Sequence, residues 1–160
     1  MNPNSKIYTF DIYVVAGPMS EAFIKDNPVV LRKIAIRGDQ TLRDLHHTIF
    51  KAFDREEEHM YEFQIGGKGP QDPKAQCYRS EAPAKPSDGS KSSPGGIDAA
   101  IDSLGLKEEQ VFGYWFDYGD DWWHQINVIS IKKQTAKGRF PQVVARTGDS
   151  PPQYDFDDDM

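Results

Sequence analysis

The chain is short of cysteine, of long apolar runs and of surplus positive charge, and each shortage closes a class of function. Cys77 is the single cysteine among 160 residues, so neither an internal disulfide nor a thiolate metal cage can form. Zinc fingers and paired redox cysteines go with it. Nowhere do about eighteen apolar residues run together, and the polar start Met1 to Lys6 leads into no signal-like apolar stretch. The expectation is a cytosolic protein that neither spans a membrane nor carries a secretory signal. The net charge of -6 is unevenly spread: 13 acidic and 13 basic residues precede Ile97, whereas 12 acidic and 6 basic follow from it. Holding a duplex by its phosphates calls for a basic stripe. Lys132, Lys133, Lys137 and Arg139 are the nearest approach to one, and they read as a solvated loop. Nucleic-acid binding is disfavoured. Phosphate-binding GxxxxGK[ST] and GxGxxG stretches, the GxSxG elbow and the HExxH helix are also missing.

What the chain does have is aromatic residues, 12% of the total against 38% for all hydrophobic types, so rings stand in for part of the aliphatic core. Its length suits one domain, 1–160, around one core. Alternation predicts a first strand over Lys6 to Val15, with Tyr8, Phe10, Ile12 and Val14 in one row. Ala16 to Pro28 reads as a connection, Val29 to Ile36 as a second strand whose Arg32 and Lys33 suggest a wet face. Thr41 and Asp44 mark a helix start, and Leu42, Leu45, Ile49, Phe50 and Phe53 form its buried stripe, with Arg43, His47 and Lys51 outward. Met60 to Ile65 is a third strand.

Residues 66–96 change character: 16 of these 31 are Gly, Pro or Ser, with little to bury. They are expected to form a mobile insertion inside the domain. A short helix, Ile97 to Leu104, stops at Gly105. Val111 to Tyr118 and Asp121 to Ile131 predict two strands joined by a Gly119-Asp120 hairpin. Arg139 to Ala145 is a last short strand, and the acidic tail 154–160 is expected to fray.

The hairpin carries the candidate chemistry. With a two-residue loop, Trp115, Asp117, Trp122 and His124 share one face, setting a carboxylate beside an imidazole between two indoles. One reading is a site in which Asp117 orients His124. In the other, Asp117 caps the turn amides and the tryptophans cover the end of the core. His46, on the buried helix stripe, needs a partner across the core; His59 stands at the mouth of the third strand. Local spacing supports no metal set and no cofactor, and Glu56-Glu57-Glu58 reads as solvated surface. The candidate surface is therefore Trp115, Asp117, Tyr118, Asp120, Trp122, Trp123 and His124, with His46 and His59 nearby.

Three blocks, Thr41-Leu42-Arg43-Asp44-Leu45-His46, His59-Met60-Tyr61-Glu62-Phe63 and the run Tyr114 to Ile126, closely resemble the Ri-plasmid open-reading-frame-three-like family. Members are often described as insertion-element passenger proteins with a resolvase-type label. The resemblance implies a compact α+β domain with an antiparallel or mixed sheet and the main helix packed on it. That agrees with the five to six strands, one main helix and one short helix read above. It implies no known reaction, and no serine or tyrosine here has the partners strand transfer needs. Members usually carry Phe-Gly-Trp where this chain has Phe53-Asp54-Arg55, and close on Pro-Pro-Glu-Asp where it has Pro151-Pro152-Gln153-Tyr154. The function expected is a non-enzymatic binding or accessory module of mobile-element ancestry, contacting a protein or small ligand through the hairpin. The alternative is a metal-assisted enzyme using His124, Asp117, Asp120 and His46.

Overall fold

A computed structural model describes residues 6–70, 72–80, 96–133 and 138–153. The tail 154–160 and positions 81–95 of the expected insertion lie outside the described residues. Seven strands make one sheet: β1 (Lys6–Ala16), β2 (Leu31–Arg37), β3 (Tyr61–Ile65), β4 (Gln76–Arg79), β5 (Val111–Phe116), β6 (Trp122–Lys133) and β7 (Gln142–Thr147). Their order is β4-β3-β5-β6-β1-β2-β7, with every neighbouring pair antiparallel. The sheet is thus antiparallel rather than mixed, and larger than the five to six strands expected. The added strand is β4, inside the stretch read as a loop; its Tyr78 is buried and pairs with Phe63. A single buried ring, Tyr78, accompanies the strand where composition spoke against one.

Among the described residues, two α-helices accompany the sheet. A short one, α1 (Glu21–Asp26), sits in the expected connection 16–28, started by Ser20 accepting from the Phe23 amide. The main helix, α2 (Leu42–Ala52), begins at a full capping box: Thr41 accepts from the Asp44 amide and Asp44 from the Thr41 amide. Its stripe of Leu42, Leu45, Ile49 and Ala52 is fully buried against the sheet. The expected short helix is instead two 3-10 turns, Gly96–Asp98 and Ile101–Leu104, ending at Gly105 with φ of 68°.

Of the adjacent charges Arg32 and Lys33 in β2, Lys33 faces out beside Asp11, whereas Arg32 is 2% exposed on the core face. Arg32 donates to the Ala52 carbonyl at 2.8 Å, and Arg146 of β7 donates to the same oxygen. Both cations meet the negative end of α2, where a helix leaves carbonyls unpaired.

The β5–β6 turn corrects the expected register. Phe116 pairs with Trp122, Trp115 with Trp123 and Tyr114 with His124, so the connection is the five residues 117–121 rather than Gly119-Asp120 alone. Asp117 and Asp121 take φ of 63° and 58°, and the Asp117 carboxylate accepts from the Gly119 and Asp120 amides at 3.1 and 3.2 Å. Aspartate satisfies turn amides and tolerates this conformation, which a glycine search overlooks. A shift of one residue exchanges the faces of a strand. Tyr114, Phe116, Trp122 and His124 therefore share the core side, and Trp115 and Trp123 lie on the other.

Candidate functional site

The shifted register dismantles the expected hairpin site. Asp117 and His124 do not meet: Asp117 sits in the turn, with His59 Nε2 3.3 Å from its other oxygen. Trp122 is 1% exposed and belongs to the core. Trp115 and Trp123 stack on each other, 4.9 Å and 5° apart, and Tyr118 packs 4.2 Å from Trp115. These indoles turn one face each toward the other. Asp120 contributes its amide to the turn, and no side-chain contact brings it to His124 or His46.

His124 is sealed. Its Nδ1 donates to the Tyr114 carbonyl at 3.1 Å, which leaves Nε2 as the acceptor for Arg55 Nη2 at 2.7 Å. Burial, and then the Arg55 charge, hold this imidazole well below its ordinary pKa, so it is neutral. Arg55 is itself buried, and burial brings it down to about 10, still charged at neutral pH. Its guanidinium lies 5.1, 4.8 and 5.4 Å from the rings of Phe53, Phe116 and Trp122. Ring faces and a neutral imidazole thus take the place of a carboxylate partner. Asp54, with φ of 54°, holds the left-handed conformation that glycine adopts freely.

His46 is equally buried but faces an opening. It lies on the inner stripe of α2, under Tyr61, whose ring stacks on it at 3.5 Å and 3°. Glu58 Oε1 is 2.8 Å from His46 Nε2, and a carboxylate only accepts, so Nε2 carries the proton. The Tyr114 hydroxyl then donates to Nδ1, at 2.6 Å. Burial keeps Tyr114 protonated and well above its usual range. Burial, followed by the charges of His47, Arg55 and Arg43, pushes His46 down to about 3. The contact with Glu58 is therefore a hydrogen bond to a neutral ring rather than an ion pair. Burial outweighs a carboxylate whose side chain is 53% exposed and screened.

An open cleft of about 410 Å³ lies above this ring, lined by Arg43, His46, His47, Glu58, His59 and Ser80 among others. Ligand atoms of His46, His47 and Glu58 lie within 4.8 Å of one another. The second Glu58 oxygen is 4.0 Å from His47 Nε2. Of the expected residues, the structure thus brings His46 and His59 to one cleft and sets Asp117 behind His59. It leaves His124 sealed and the tryptophans apart. His47, read as outward, and Glu58, read as solvated surface, are the residues missed. The adjacent pair His46-His47 was visible, but Glu58 comes 12 residues after His46, across a helix end and a loop, where no local spacing rule applies.

Among the described residues, no helix is long and apolar enough to cross a membrane. In fold, the chain is similar to a protein of unknown function, MM3350, from Methanosarcina mazei Go1. The TM-score is 0.68 at 20% identity, over 94% of this chain and 74% of that one. No curated protein matches. The sequence model described as plasmid pRiA4b ORF-3-like protein matches residues 22–158, nearly the whole chain, and the protein belongs to that family.

Proposed function

We propose that this protein is a binding module for a divalent transition-metal ion of the zinc class, held by His46, His47 and Glu58. The observation that carries the reading is the meeting of two imidazoles and a carboxylate within 4.8 Å at the floor of an open cleft. Imidazole nitrogen and carboxylate oxygen at about 2.0–2.2 Å are ordinary zinc ligands, and a three-residue set leaves one position open. His46 supports it in two ways. Its ring stays neutral to about pH 3, so acid does not compete for it near neutrality. The Tyr114 hydroxyl on Nδ1 can accept as well as donate, so the ring proton can move to Nδ1 and leave Nε2 for the metal. His47 and Glu58, with side chains 54% and 53% exposed, have freedom to close on an ion that the packed His46 orients. The open position suits a ligand atom from a small molecule or a partner protein. The family's plasmid name supports an accessory role in a mobile element.

The test is a Co2+ or Zn2+ titration of chelator-stripped protein. One ion per chain is expected. His47→Ala and Glu58→Gln should weaken binding by more than the roughly 10–100-fold that loss of an outer-shell partner costs. Both variants should stay folded, with urea unfolding showing a loss of under about 1 kcal/mol. A parent protein that takes up no ion, or variants that bind as well as it does, would sink the reading.

A further inference from the structure

Glu58 is placed by its backbone as well as by its side-chain contact with His46, and the backbone before it is held from the far end of the chain. Gln153, 6% exposed, makes three hydrogen bonds to the loop between α2 and β3. Its Oε1 accepts from the Glu56 amide at 2.6 Å and the Glu57 amide at 2.9 Å, and its Nε2 donates to the Glu57 carbonyl at 2.7 Å. The segment carrying Gln153 is tied down separately. Ser150 donates to Asp54 and accepts from Arg32 Nη2 at 3.0 Å, and the Asp149 amide donates to Asn27 at 2.8 Å. The loop therefore has two anchors in the residues just before Glu58. Arg55 is sunk in the core on one side, and Gln153 grips the two residues next to Glu58.

We infer that Gln153 is the positioning residue for Glu58, so that docking of the C-terminal segment and metal affinity at the cleft are linked. This rests on the metal-binding reading above. Without Gln153, two amides and a carbonyl lose their partner and the loop gains conformations that metal binding must then remove. Affinity falls for that reason although no ligand is touched. Linkage is reciprocal, so a bound ion must hold the loop against Gln153 more firmly than in the free protein.

The experiment compares three full-length variants with the parent, by Co2+ titration followed through the visible absorption of the bound ion and by amide hydrogen exchange. Gln153→Leu keeps bulk and loses all three bonds. Affinity should fall roughly tenfold, the lower end for an outer-shell partner, with a changed Co2+ spectrum. Gln153→Glu keeps an acceptor for both amides and should restore most of the affinity. Ser150→Ala loosens the same segment without touching the loop amides and should bind as the parent does. In the parent, Co2+ should slow exchange at the Glu56 and Glu57 amides. Equal affinity in Gln153→Leu and parent overturns the inference and leaves the metal site standing. An equal fall in Ser150→Ala and Gln153→Leu overturns it too, since general loosening then suffices. No Co2+ bound by the parent overturns the site and the inference together.

Discussion

His46 and His124 are both fully buried, both neutral and both hydrogen-bonded through Tyr114, yet only one of them faces a place where chemistry can happen. His124 gives its nitrogens to a main-chain carbonyl and a buried guanidinium, partners that cannot leave without unfolding something. His46 gives one nitrogen to a buried tyrosine and the other to a carboxylate on a half-exposed side chain. Burial alone does not distinguish a structural imidazole from a ligand. What distinguishes them is whether the outer partner can be exchanged for an ion at little cost to the fold.

That contrast breaks first at His124. Truncating it to alanine removes the acceptor for Arg55 and leaves a buried guanidinium short of a hydrogen-bond partner. A hydrogen bond to a charged group is worth about 1.5–3 kcal/mol, and leaving the buried charge unsatisfied costs at least as much. Urea unfolding of His124→Ala should show a loss of that size, whereas Glu58→Gln, altering a screened partner of a neutral ring, should lose under about 1 kcal/mol. A His124→Ala protein that stayed as stable as the parent and instead lost its metal would exchange the roles of the two rings.

The pH dependence is where the two imidazoles should behave alike. Each has a folded-state pKa below the unfolded value of about 6.5, His46 at about 3 and His124 well below its ordinary value. Below pH 6.5 the unfolded chain therefore binds protons that the folded one refuses, and stability falls as pH falls. The contribution is fully present above about pH 6.5 and is lost progressively down to the folded pKa. The slope approaches about 1.4 kcal/mol per pH unit for each ring. Unfolding followed between pH 7 and 5 should show this decline, and His46→Gln should flatten it. A His46→Gln protein with the parent's slope would mean that His46 is charged in the folded state and paired with Glu58.

Much of this frame was legible from residues. Alternation placed β1, β3, β5 and β6, and Thr41 with Asp44 placed the start of α2, because those signals are local and each reports burial of one face. β4 and α1 were not legible, since Tyr78 and Phe23 each bury one ring amid residues typical of loops. The site was half legible. His46 announced itself as a buried imidazole in want of a partner. The register of β5 and β6, which decided the fate of His124 and both outer tryptophans, turned on two aspartates at positive φ. Turn-residue preferences favour glycine there, and a miscount of one residue reverses every assignment on the strand.

The smallest effect concerns the outer face, where Trp115 and Trp123 stack and Trp115 Nε1 donates to Asp121 at 2.9 Å. If these rings only brace the turn, their worth is mutual. A double-mutant cycle of Trp115→Leu and Trp123→Leu should return a coupling of about 0.5–1.5 kcal/mol. Metal affinity should stay at the parent value throughout, because the stack and the cleft lie on opposite faces of the sheet. A coupling near zero, joined to a loss of metal, would mean that the hairpin reaches the cleft through Asp117 and His59. The turn would then belong to the site rather than to its frame.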